Sequence, residues 1–183
     1  MNKGKTLMLF FIASEAFFFI ALIISYVYYS RPGGTLSDTA AYLNVKKTAI
    51  FTFFLLFSSL TIELAERKLR SGKRRAMLLF LAATIMSGLV FLIGQGLEYR
   101  ELIRNQVTIS RDVFGSSFFT LTGFHGLHVL LGLITLAIMI RLISSKKYIA
   151  VEGEAFNAAA IYWHFVDGVW VVVFTVVYIG ALL

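Results

Sequence analysis

Cysteine is absent from this chain, which excludes disulfides, thiolate nucleophiles and thiolate-bound metal sites together. It leaves the compartment open, because a membrane protein can do without cysteine on either side. Charge is scarce as well. Of 183 residues, 15% are Asp, Glu, Lys or Arg, against about a quarter in a soluble domain. Proline occurs once and histidine three times. What fills the chain instead is apolar: 58% of residues are hydrophobic, 18 of them phenylalanine, and the mean hydropathy is +0.81. The charges cluster between apolar runs long enough to cross a bilayer, which takes roughly 20 residues per helix. The composition predicts an all-α membrane protein.

The apolar runs predict one compact domain, residues 1–183, built as a bundle of five transmembrane helices at about 7–29, 48–65, 76–97, 114–143 and 158–183. The first ends in Tyr26, Tyr28 and Tyr29, an interfacial aromatic cluster, and Arg31-Pro32-Gly33-Gly34 is expected to stop it. At thirty residues the fourth is about 45 Å long, so it must tilt or project beyond the hydrocarbon. The first run exceeds twenty residues and lacks a small-residue cleavage site, so it is expected to be a span and not a cleaved signal. The 66–75 loop holds six Lys and Arg; with Lys3, Lys5, Arg141, Lys146 and Lys147 that side carries eleven, and the other side six. The positive-inside rule then predicts a cytoplasmic N-terminus and an external C-terminus. The net charge of +7 is accounted for by topology and anionic lipid, so no nucleic-acid partner is expected. The segment from Glu98 to Asp112 mixes signs and is expected to be a polar interfacial loop. No 20–50-residue repeat divides the chain, which argues against the repeat build of most secondary transporters.

Ionisable side chains inside spans cost several kcal/mol unless paired or neutralised, so they are the informative ones. Glu15 lies roughly 12 Å into the first span, beside Phe17, Phe18 and Phe19. It is expected to be protonated or tightly hydrogen-bonded, either as a proton or lipid site or as a tie between two helices. His125 and His128 share a helix face within Thr122-Gly-Phe-His125-Gly-Leu-His128, where Gly123 and Gly126 allow close helix approach. His164 and Asp167 share a face of the fifth span, with Trp163 and Trp170 on an adjoining stripe. Glu98 closes the third span. Glu63, near a helix end, is expected to snorkel.

Three histidines and a carboxylate match the ligand inventory of zinc or iron. The spacing is weak evidence, however, and a hydrogen-bonded structural network is the better expectation. Ser116 and Ser117 carry no mark of an activated nucleophile. Two further possibilities remain at this level: an ion carrier working through Glu15 and Asp167, and a metalloenzyme at His125, His128 and His164.

Four motifs in register go further. Ser14-Glu15-Ala16-Phe17-Phe18-Phe19, Gln95-Gly-Leu-Glu98-Tyr99, the block from Thr108 to Gly132, and Tyr162-Trp163-His164-Phe165-Val166-Asp167-Gly-Val-Trp170 together resemble subunit III of the haem-copper respiratory oxidases. The resemblance covers essentially the whole chain and the short five-helix bacterial form; the long form has seven helices. One departure is Phe57-Ser58-Ser59-Leu60-Thr61, which stands where long forms tend to carry histidines. The resemblance implies a non-catalytic accessory subunit in a bacterial cytoplasmic (inner) membrane, packed against oxidase subunit I and assembled with subunit II. It implies no cofactor in this chain, haem and copper in the partner subunits, bound phospholipid, and a role in sustaining proton uptake. Glu15, Glu98, His125, His128, His164 and Asp167 would then be buried polar links that fix the bundle, Glu15 also being protonatable. The related accessory protein of nitric-oxide-reducing systems is a close alternative.

Overall fold

The computed structural model describes residues 3–29, 43–110, 113–144 and 152–180. They form five long helices: α1 (Lys3–Tyr29), α2 (Val45–Arg70), α3 (Arg74–Arg104), α4 (Val113–Ser144) and α5 (Glu152–Phe174), which runs on into a π-helical turn, Thr175–Ile179. All five are long and apolar enough to cross a membrane. No proline interrupts any of them, and an unbroken helix satisfies its backbone N–H and C=O groups internally, as hydrocarbon requires. The Arg31-Pro32-Gly33-Gly34 stop, Arg111, Lys146, Lys147 and residues 181–183 lie outside the described residues.

Much of two loops foreseen from charge proves to be helix. Of the basic 66–75 stretch only residues 71–73 are non-helical. Gly72, at φ +68°, lets Lys73 N–H reach the Lys68 carbonyl and Gly72 N–H the Leu69 carbonyl, both at 3.0 Å. These are the bonds of a Schellman cap, and they fold α2 back on α3 within three residues. The mixed-charge stretch after Glu98 likewise stays helical to Arg104. It closes the same way, with Gln106 at φ +59° and Val107 N–H on the Leu102 carbonyl at 2.9 Å. Leu102 and Val107 are both buried, supplying the apolar contact that accompanies such a cap. Charge had marked these segments as polar, but membrane helices run past the hydrocarbon edge.

The bundle is polar inside and apolar outside along α2. Its buried residues are Thr48, Thr52, Leu55, Ser58, Thr61, Ile62 and Ala65, while Ile50, Phe53, Phe57 and Leu60 are exposed. Along α3 the buried positions include Met77, Leu81, Thr84, Gly88, Phe91, Gln95 and Leu102, the three-and-four alternation of one helix face. α2 and α3 pack along their lengths as a hairpin, and α5 touches α1, α2 and α4. Trp163 and Trp170 of α5 are fully enclosed, so α5 supplies the centre of the core. α1 packs on α4 and α5 and leaves Leu7, Phe10, Phe17 and Ile24 exposed.

Candidate functional site

The ionisable groups of the spans gather into three separate contacts. The first joins α1 to α4. His128 Nδ1 lies 2.7 Å from the Phe124 carbonyl one turn earlier, and a carbonyl can only accept, so Nδ1 carries hydrogen. That turns Nε2 toward Glu15, 3.0 Å from Oε2. One proton is shared in this contact: a carboxylic acid donates to neutral imidazole, or an imidazolium donates to carboxylate. Either arrangement leaves the pair without net charge, which suits its depth in the span. Phe19 packs edge-on against the His128 ring at 5.0 Å, and Tyr162 of α5 donates its hydroxyl to the His128 carbonyl at 3.1 Å.

The second contact joins α5 to α2. Ser59 donates to Asp167 Oδ2 and therefore accepts from His164 Nδ1, 3.0 Å away. A Ser, a His and an Asp thus meet, but in an order that does not make a nucleophile. In a catalytic triad imidazole stands between hydroxyl and carboxylate and takes the hydroxyl proton; here the hydroxyl stands between the other two. Asp167 Oδ1 is buried without a hydrogen bond among the described residues. The third contact is at the far end of α3. Glu98 accepts from Thr48 Oγ1 at 3.0 Å and from the Tyr178 hydroxyl at 2.8 Å, tying α2, α3 and the π-helical turn together. Nearby, Lys47 pairs with Glu101 at 2.9 Å, so Glu101 reaches across to α2 and not along its own helix to Arg104. Glu63 takes Arg67 at 2.9 Å on the surface of α2.

His125 behaves differently from the other five. It is fully buried, and neither ring nitrogen has a hydrogen-bond partner among the described residues. Its ring stacks on Trp170 at 4.7 Å and 27° and meets the edge of Phe91 at 5.8 Å. The expected cross-helix bond is therefore made by His128 and not by His125. Aromatic rings enclose His125, and the indole N–H of Trp170 is already given to Thr52 Oγ1 at 2.9 Å.

The sequence pattern missed the hydroxyls of α2. Trp163 Nε1 donates to Ser58 Oγ at 2.9 Å, Trp170 to Thr52, and Thr61 meets Thr84 of α3 at 2.8 Å. With Thr48 and Ser59, five small hydroxyls spaced along one apolar helix each find a partner on another helix. Gln95 and Tyr99 do the same toward α4, at 2.6 Å to the Thr122 carbonyl and 2.7 Å to its hydroxyl. Small hydroxyl residues recurring on one face of an apolar span were the available signal.

Among the described residues no three His, Asp or Glu side chains gather where a metal could sit, and Glu15 and Asp167 fall in different contacts. The arrangement defines a multi-pass helical membrane protein whose buried polar groups tie helix to helix. The family described as cytochrome c oxidase subunit III matches residues 1–181, and the chain belongs to that family. It is 35% identical over 175 residues to cytochrome c oxidase subunit 3 of Corynebacterium diphtheriae, covering 92% of this chain and 83% of that one. A probable cytochrome c oxidase subunit 3 of Mycobacterium leprae is 34% identical, with 91% and 83% covered. The subunit 3 of Osphranter robustus is 36% identical, with 93% and 67% covered. The chain is thus an accessory subunit of a respiratory terminal oxidase, from a family that lacks metal centres of its own, and its partners are the other oxidase subunits.

Proposed function

We propose that this subunit packs against oxidase subunit I in a bacterial cytoplasmic membrane, beside subunit II, and sustains proton uptake through a proton-pumping haem-copper centre that it does not itself carry. Its N-terminus faces the cytoplasm and its C-terminus the exterior, residues 1–183 act as one domain, and phospholipid is held against the bundle. The observation that supports this reading best is the Glu15–His128 contact at 3.0 Å. That contact, uncharged overall when one proton is shared, joins α1, which leaves much apolar surface uncovered, to α4, and supports a proton-linked role for Glu15. Glu98, His164 and Asp167 tie α2, α3 and α5 together through contacts of their own, and His125 fills the core as a packed ring.

The test is made on the oxidase purified with and without this chain. The expected outcome is that removing the chain leaves haem and copper content unchanged but shortens the number of turnovers before inactivation, and that restoring it recovers them. An oxidase with the same turnover lifetime in both states would refute the role.

A further inference from the structure

Ser59, His164 and Asp167 make a line of hydrogen bonds with one end in the core and the other at a cavity. Asp167 is the inner end. It is 3% exposed, Ser59 donates to its Oδ2, and its Oδ1 has no hydrogen bond among the described residues. A carboxylate with an unmet oxygen inside a span is costly, and a proton placed on it relieves that cost. His164 is the outer end. Its Nδ1 lies 3.0 Å from Ser59 Oγ. The hydroxyl gives its own hydrogen to Asp167, so Nδ1 carries hydrogen and Nε2 of the neutral ring keeps a lone pair. His164 is half-buried and lines a cavity of about 180 Å³ with Glu66, Arg70 and Asn157, enough for several water molecules. Arg70 is exposed, so the cavity opens where α2 turns into α3. At the usual helical rise Ser59 stands roughly 16 Å along α2 from Arg70.

The charged groups facing His164 are Glu66 and Arg70 of α2, which pair with each other. On the other elements packed against α5, Glu15 of α1 is bonded to His128 of α4, His125 of α4 stacks on Trp170, and Tyr178 of the π-helical turn donates to Glu98. We propose that the line is a proton relay, by which Asp167 exchanges a proton with water at the α2–α3 end of the bundle. In the inward step a proton from water binds His164 Nε2. The Nδ1–H bond breaks as an O–H bond forms on Ser59, whose former hydrogen passes to Asp167 Oδ2. The carboxylate ends protonated and the imidazole neutral, its hydrogen now on Nε2; the same steps reversed return the proton. A hydroxyl placed between imidazole and carboxylate can accept from one while donating to the other. The relay rests on the proton-linked part of the role proposed above and gives it a second site, on α2 and α5.

The test uses the full chain in detergent, moved from water to heavy water, with its carboxylic-acid carbonyl bands followed by infrared spectroscopy. Wild type shows a band that Asp167→Asn removes and that shifts on deuteration. His164→Gln keeps a donor for Ser59 but cannot pass a proton, so the band stays and its shift slows about 10²-fold, the lower end of what a positioned proton donor contributes. Ser59→Ala slows it alike, and Ser59→Thr, which restores the hydroxyl, exchanges at the wild-type rate. Should Ser59→Ala fail to fold, His164→Gln carries the test alone. A wild-type exchange rate in His164→Gln, or no Asp167-dependent band at any pH where the chain is folded, would overturn the relay. Either result leaves the turnover-lifetime comparison standing, whereas an oxidase indifferent to this chain removes the role and leaves the relay.

Discussion

At the residue scale, His125 and His128 sit one turn apart on α4 and do different work. His128 bonds through both nitrogens, to the Phe124 carbonyl and to Glu15, and His125 through neither. His128→Leu strands Glu15 at mid-span, so the purified chain should lose about 1–3 kcal/mol in thermal unfolding. Glu15→Gln keeps a hydrogen bond to Nε2 and should cost less. His125→Phe replaces an imidazole stacked on Trp170 with an apolar ring and leaves no partner behind, so its stability should stay within about 1 kcal/mol of wild type or rise. Equal losses for His125→Phe and His128→Leu would show that both rings matter only as volume. The two histidines were legible in the sequence as a pair sharing a helix face. Their division was not, because it depends on which neighbouring helix supplies a carboxylate and which supplies indole.

At the element scale, the helices are locked by small residues against large ones. Trp163 of α5 lies between Gly88 of α3 and Gly132 of α4, where an added Cβ would come within 2.9 Å of the indole ring at either position. The ring cannot slide away freely, since its N–H is bonded to Ser58. Gly132→Ala should therefore cost about 1–3 kcal/mol, as overpacking does. Gly96 lies on the same α3 with nothing within 4 Å of its would-be Cβ. Gly96→Ala should raise stability by about 0.5–1 kcal/mol, by the ordinary helix preference. Thermal melts of the two variants in one detergent check this, and shifts of the same sign would refute the clamp. The five helices could be placed from apolar runs alone. Their ends could not, because at Gly72 and Gln106 the stop is a left-handed backbone residue, and the charge around those points belongs to helix.

At the scale of the whole molecule, the absence of cysteine makes the proposed orientation directly testable. A cysteine introduced at Arg75, in the basic end, should react with a membrane-impermeant maleimide only from the cytoplasmic side in intact vesicles. One introduced at Arg104, at the opposite end of α3, should react only from the exterior. Both residues are exposed, so neither substitution disturbs the core. Labelling of the two positions from the same side would invalidate the topology, and labelling in the reverse sense would invert it.

The sequence by itself determined the class of the molecule: a hydrophobic, cysteine-free chain with apolar runs of bilayer length can fold stably only as membrane helices, because hydrocarbon offers no other partner for the backbone. It also determined, through motifs spread in register from Ser14 to Trp170, which family that class narrows to. What only the tertiary structure decided is who bonds to whom. Glu15 could have met any imidazole, yet the packing of α1 on α4 gives it His128. Asp167 and His164 share their face, yet it is Ser59 of α2 that completes them. Side-chain spacing fixes which groups share a helix face, and helix packing fixes which faces touch. In a bundle whose polar groups are few and buried, the second is what turns isolated costs into bonds.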